Sequence, residues 1–261
     1  MTDATTTRGD HHSALWRRIW NCRVLYLLIL PLIVWYVMFC YVPMAGLYLA
    51  FERFSYKGGI WGSAWVGLNN FYEFFSDGEF LRALRNTVIF SLGKLALQFP
   101  TAIILALALN ELRHARIKKL YQTVFTFPHF ISWVVMAGIL KNMFASNGVI
   151  NQLLTVWGMD AISPLLSKTG FRRSTILIML ILEIGRIMTT GASFDQVFNL
   201  YSSPVYEVAD TIDTYIYRTS FGGTKNFGYT TAVGLSKSII GVLMMLGANR
   251  MVTACGEDGL F

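Results

Sequence analysis

Two apolar runs, residues 87–110 (TVIFSLGKLALQFPTAIILALALN) and 120–140 (LYQTVFTFPHFISWVVMAGIL), flank a short basic stretch, 111–119. The first run carries one charge, Lys94, and the second carries none. Each is about the 20 residues that a helix needs to cross a bilayer core. Arg113, Arg116, Lys118 and Lys119 stand between them, with Glu111 the only acid. A short loop this basic stays in the cytoplasm, so the pair reads as a transmembrane hairpin of fixed orientation. Paired runs of this length are unusual in a soluble helical hairpin.

Of the 261 residues, 54% are hydrophobic and 14% charged, against about 25% charged in a soluble domain. Most of the surface therefore faces something other than water. The net charge of +7 is concentrated before the first apolar run and in the hairpin turn. Membrane orientation explains that placement, and no nucleic-acid partner is expected. Cys22, Cys40 and Cys255 lie far apart, with neither metal-ligand nor disulfide spacing, and read as packing residues. His11 and His12 belong to a polar, solvated tail. No metal, cofactor or catalytic residue is assigned. There is no nucleophile–base pair and no G-x-x-x-x-G-K-[ST] loop, and residues 222–225 (GGTK) read only as a loop.

In chain order, Arg17, Arg18 and Arg23 precede an uncharged run, 24–51, and place the tail 1–23 in the cytoplasm. The run is longer than a signal peptide's apolar core of about 7–15 residues, so it reads as an uncleaved first span. Pro31 and Pro43 are expected to kink it. Residues 52–86 are outside, aromatic-rich, with a short interfacial helix expected from Asn70 onward. The second and third spans are 87–110 and 120–140, with kink points at Pro100 and Pro128. Residues 146–168 are too polar for a clear span. The fourth span, 174–194, sets about ten apolar residues at −0.3 to −0.6 kcal/mol against Glu183 and Arg186 at roughly +2.5 to +3.5 each. The sum is near zero, so this span needs partners. An acidic loop, 195–226, follows, then a last span, 227–249, and a tail, 251–261. Gly234, Ser238 and Gly241 give that span a small-residue stripe suited to close helix packing.

Several strings resemble one family, the permease subunits of ABC importers for sugars, in particular oligosaccharides and polysaccharides. They are VGLNNFYEFF with FLRALRNT (66–87), FPHFISWVVMAGI (127–139) and FNLYSSPVYEVADTIDTYIYR (198–218), then TAVGLSKSIIGVLMMLGANR and GEDGL. The resemblance implies an all-α, polytopic transmembrane bundle of the type I importer kind, with five recognisable spans here where the family has six. It also implies a multi-pass protein of the inner or plasma membrane that is not an enzyme. Its implied partners are a second permease, cytoplasmic ATP-binding subunits and an extracytoplasmic solute-binding protein.

One departure stands out. The family's cytoplasmic E-A-A-x-x-x-G loop ending in I-x-L-P, which docks into the ATPase, is not found, and its place falls at 171–174. Charge agrees with a loss there. Counting from a cytoplasmic start, three spans leave Arg172 and Arg173 outside; a fourth puts the acidic loop inside and Arg250 outside. One more crossing corrects all three. A segment within 149–166 is an alternative source of it, opposed by Asp160 and Pro164. The alternative function is a truncated remnant or membrane interaction protein unable to couple to an ATPase.

Lys94, Glu183, Arg186 and Lys237 are ionisable residues within spans, and so are candidates for a polar substrate path. Against that stand a structural Glu183–Arg186 pair, three residues apart on one helix face, and snorkelling lysines. Tyr206, Glu207, Asp210, Asp213 and Tyr217 are candidates for an outer-face contact surface, with Asp210 and Asp213 on a shared helical face.

Overall fold

The protein was analysed as a computed structural model that describes residues 20, 22–127, 131–182, 194–222, 226–254 and 256. The first apolar run forms one rod, α1 (Arg23–Phe51). It is α-helical over Arg23–Tyr36, makes a π turn over Val37–Tyr41 and tightens to 3-10 over Val42–Phe51. Pro31 sits inside the α-helical part without ending it, whereas Pro43 opens the 3-10 part. Proline lacks an N–H, so the carbonyl four residues earlier loses its partner and the hydrogen-bond pattern around it shifts. Of the two expected kink points, Pro43 is the one where the winding changes.

A two-stranded ribbon, β1 (Glu52–Arg53) with β2 (Ala64–Trp65), pairs Glu52 with Trp65 and Arg53 with Ala64. It leads to α2 (Asn69–Ser76), where the sequence predicts a short helix. Asp77 then caps α3 (Gly78–Glu111), accepting from the Glu79 N–H at 2.8 Å. An acid at the cap and another in the first turn both suit the positive end of the helix dipole. The run 87–110 is thus the inner part of a 34-residue helix that also absorbs the preceding FLRALRN segment.

The run 120–140 is not one helix. α4 (Ala115–Thr126) and α5 (Trp133–Met143) share it, and Ser132 is extended and caps α5 through its hydroxyl. Pro128 lies outside the described residues. α6 (Val149–Val156) has eight residues, about 12 Å of helix, so the helical part of 149–166 is shorter than a bilayer core of about 30 Å. α7 (Lys168–Leu182) follows, running unbroken through 171–174. Residues 183–193, with Glu183 and Arg186, lie outside the described residues. The chain resumes with α8 (Phe194–Leu200), a 3-10 turn (Ser203–Val205), α9 (Tyr206–Ala209), α10 (Ile212–Phe221) and α11 (Phe227–Ala254).

Three of these helices, α1, α3 and α11, are long and apolar enough to cross a membrane. Their interior contacts are gathered at one end. α3 buries Phe80, Ala83, Asn86, Phe90 and Lys94, all in its first half. α11 buries residues only between Gly228 and Val233, and α1 buries only Ala50. With α2 and α10 these ends enclose one core around Phe74, Phe80, Tyr215 and Tyr229. A second core, around Phe90, Phe171, Leu200 and Val205, joins α3, α5, α7, α8 and the turn after it. Together they form a packed cap from which the long helices project as shafts. Gly228 is where α11 meets the end of α1: a Cβ there would lie 2.0 Å from the Glu52 carbonyl oxygen and 2.8 Å from that of Leu49. Only glycine allows that approach.

Candidate functional site

Of the residues singled out in the sequence, the structure gathers Tyr206, Glu207 and Asp210 into one cleft of about 210 Å³, also lined by Glu79, Arg82 and Arg218. Arg218 is its pivot. Its Nη2 donates to Asp210 Oδ2 at 2.7 Å and to Glu79 Oε2 at 3.1 Å, and its Nε to Asp210 Oδ2 at 3.1 Å. The guanidinium also lies 5.7 Å from the ring centroids of Tyr206 and Tyr215. Burial works against the Arg218 charge, but the hydrogen bonds to Asp210 and Glu79 outweigh it and hold its pKa above the ordinary value. Asp210 is 5% exposed. Burial pushes its carboxyl up, against the pull of Arg218 and of the Thr214 hydroxyl, which donates at 2.7 Å. Glu207, at the rim, accepts from Lys168 Nζ at 2.6 Å, and that bond holds its carboxyl below the usual range.

Two further candidates lie elsewhere. Asp213 pairs with Lys237 of α11, and Tyr217 packs among Phe194, Phe198 and Phe221. Asp210 and Asp213 do not share a helical face. Asp210 is extended, ahead of the Thr211 cap, and only Asp213 is inside α10. Thr211 and Thr214 form the capping box that separates them. Among the in-span candidates, Lys94 is buried in α3 at 4% exposure, whereas Lys237 is exposed and ion-paired near the cap. The stripe Gly234 and Gly241 has no close partner here: a Cβ on Gly234 would meet only Ile216 at 3.9 Å, and one on Gly241 nothing within 4 Å.

What holds the cleft's backbone was not marked as functional in the sequence. Asn86 Nδ2 donates to the carbonyls of Glu207 and Asp210 at 3.1 and 2.9 Å, while its Oδ1 accepts from Arg172. Arg172 Nε in turn reaches the Val208 carbonyl at 3.2 Å. Asn70, Asn151 and Asn226 do the same elsewhere. Asn70 donates to the carbonyls of Ala50 and Glu52, Asn151 brackets Ile162, and Asn226 brackets Phe54. Each side chain satisfies irregular backbone that would otherwise be buried unpaired. Beneath the cleft, the hydroxyls of Tyr215 and Tyr229 both donate to Asp77 Oδ2 at 3.0 Å and lie 2.9 Å apart. Burial raises the Tyr215 pKa, so the hydroxyl stays protonated as a donor. The acid that caps α3 therefore also ties it to α10 and α11. The sequence signal for this was the Asp77-Gly78-Glu79 helix start.

Among the described residues no cluster of metal ligands is present. A polar cap joined by irregular segments, with apolar shafts beyond it, defines an integral membrane bundle built for passage or assembly. Comparison with known proteins names the kind. The chain is 31% identical to the polygalacturonan/rhamnogalacturonan transport system permease protein YteP of Bacillus subtilis (strain 168), over 99% of this chain and 97% of that one. It is 34% identical to protein LplB of the same organism, over 91% of each. A solved bacterial ABC transporter involved in import of the acidic polysaccharide alginate superposes with a TM-score of 0.80 at 28% identity, over 92% of this chain and 99% of that one. No family model matches the chain. The chain belongs to the sugar ABC transporter permeases, which are membrane transport subunits and not enzymes. The match to YteP extends over 313 positions, and against 261 residues that leaves at least 52 with no counterpart here.

Proposed function

We propose that the chain forms part of the translocation path of an importer for an oligosaccharide, powered by separate ATP-binding subunits and working beside a second permease. The observation that carries this is near full-length likeness, in sequence and in fold, to permeases whose names give polysaccharide import. The same fold in a transporter solved with an alginate pentasaccharide-bound periplasmic protein supports a solute-binding protein as the third partner. The remnant reading is not favoured, because the likeness covers 99% of the chain.

Orientation follows from charge: Arg17, Arg18 and Arg23 before α1 and the basic stretch 111–119 support a cytoplasmic N-terminus. That places the cap outside, and the cleft of Glu79, Arg82, Tyr206, Glu207, Asp210 and Arg218 is then available to the solute-binding protein. Lys94, buried within α3, is the in-span candidate for the path that the geometry favours; Lys237 serves Asp213. The shortfall of at least 52 positions bears on coupling. The resemblance implies an E-A-A docking loop that is not found in the sequence, and counting that loop among these positions would mean a weakened grip of the ATP-binding subunits.

The test is reconstitution with the second permease, the ATP-binding subunits and the binding protein in proteoliposomes. Nucleotide-dependent uptake of a labelled oligosaccharide is expected. A chain that assembles with these partners but never admits sugar would overturn the reading.

A further inference from the structure

At the end of the shafts away from the cap, one helix sorts its side chains by chemistry. α4 follows α3 after the turn 112–114 and advances by about 100° per residue. Ile117, Leu120, Tyr121, Val124 and Phe125 then share an arc of about 140°. Arg116, Lys118, Lys119, Gln122 and Thr123 fall outside it, with Arg116 at one border and Lys118 at the other.

The apolar arc is not packed away. Ile117, Leu120, Tyr121 and Val124 are 43%, 62%, 45% and 54% exposed, and Tyr121 stacks on Phe125 of the same helix. Arg113, Arg116 and Lys119 are exposed and Lys118 is half-buried. Among the described residues none of these four bases is paired with an acid. In the cap, by contrast, Lys168, Arg218 and Lys237 are matched by Glu207, Asp210 and Asp213. The balancing charge for α4 must therefore come from outside the described chain.

Depth says what supplies it. The last buried residue is Lys94 in α3 and Val233 in α11. Glu111 and Arg250 each lie about 26 Å further along their helices, close to the thickness of a bilayer core, about 30 Å. Arg23 opens α1 at the same end, since that rod is buried only at Ala50. The unmatched bases thus emerge at the headgroup level of the face opposite the cap. A bare apolar arc with bases on both borders suits that boundary, the arc against acyl chains and the cations among phosphates.

We propose that α4 and the turn before it bind anionic phospholipid headgroups on the face opposite the cap. Arg113, Arg116, Lys118 and Lys119 supply the cations, and Ile117, Leu120 and Val124 the acyl contact. The ligand class is a phosphodiester with net negative charge, as in phosphatidylglycerol. Phosphatidylcholine carries its own cation, which offsets its phosphate and leaves the four bases unmatched.

The inference rests on the membrane reading above, and the experiment separates the two. The full chain is placed in phosphatidylcholine bilayers with a trace of spin-labelled phosphatidylglycerol or spin-labelled phosphatidylcholine, and the immobilised fraction of each is measured. Phosphatidylglycerol should be preferred about five-fold or more, the gain from one base at an anionic surface, and added salt should weaken the preference. The R116Q/K118Q/K119Q variant should fall to near parity. R116K/K118R/K119R should keep the preference, as should R53Q/K57Q, which removes exposed bases on the cap side. Equal immobilisation of the two lipids by the parent chain, or a preference that the triple glutamine variant retains, would overturn the lipid site and leave the permease reading intact. So would a preference abolished by adding the ATP-binding subunits, which would assign the surface to a protein partner. Release of the chain from the bilayer by an alkaline wash would overturn both.

Discussion

At the two ends of the same helices the protein meets two different solvents. Where α3 and α11 begin, Phe74, Tyr215 and Tyr229 are closed off around Asp77, and four asparagines satisfy the joining backbone. A few turns further on, Leu243 and Met244 of α11 are 62% and 71% exposed. Of the most apolar 18-residue windows, α1 buries 0%, α3 6% and α11 11%. An apolar helix bare on every side is stable only where lipid or other helices surround it. The cap thus carries this chain's own fold, and the shafts take their environment from the bilayer and from partner subunits. Tertiary specificity therefore belongs to polar groups and aromatic packing at one end, and not to the apolar runs that announce the protein.

The largest effect is expected from emptying the cap. Phe74→Ala removes a fully buried ring and should cost about 3–5 kcal/mol, read as a lower thermal midpoint in detergent. Asn86→Ala strips partners from two carbonyls and from Arg172, at about 2–3 kcal/mol, and should expose the segment around Glu207 to proteolysis before the rest unfolds. Gly228→Ala forces the start of α11 away from the Glu52 carbonyl, at about 1–3 kcal/mol, measured the same way. The shaft should answer differently: Leu243→Ala is expected within about 0.5 kcal/mol of the parent in lipid. A shaft truncation as costly as the cap truncation would break the distinction. The smallest effect belongs to the exposed Lys168–Glu207 pair. The folded Glu207 pKa is depressed, chiefly by the hydrogen bond from Lys168. Its contribution is present above the unfolded carboxylate pKa and is lost as pH falls through the folded one. Glu207→Gln should remove only that small acid dependence from the melting curve.

The shafts were legible in the sequence because composition and length suffice to mark a span. The runs 24–51, 87–110 and 227–249 each lie within a long helix. The break between α4 and α5 was not, since Pro128 reads as a tolerated kink as easily as an end. The packing of α7 was hidden for another reason. Apolar content alone does not say what a helix lies against; the contacts of Phe171 with Phe90 and of Ile176 with Gly93 do. The acids and tyrosines of 206–217 were visible as a patch, but their division among Arg218, Lys168 and Lys237 depends on residues more than 20 positions away or on a cap. Asn86 and Arg172 gave no local signal, because their partners are each other and the carbonyls of the distant segment 207–210.

The contrast between cap and shafts is open to one direct measurement: photolabelling with a carbene reagent dissolved in the bilayer, mapped along the chain by mass spectrometry. Label is expected around the whole circumference of α1 and α11 outside the cap, at Leu27, Leu28, Leu32, Leu243 and Met244, with none at Phe74, Tyr215 or Tyr229. Label in the cap core, or shafts left unmarked in the lipid, would contradict it.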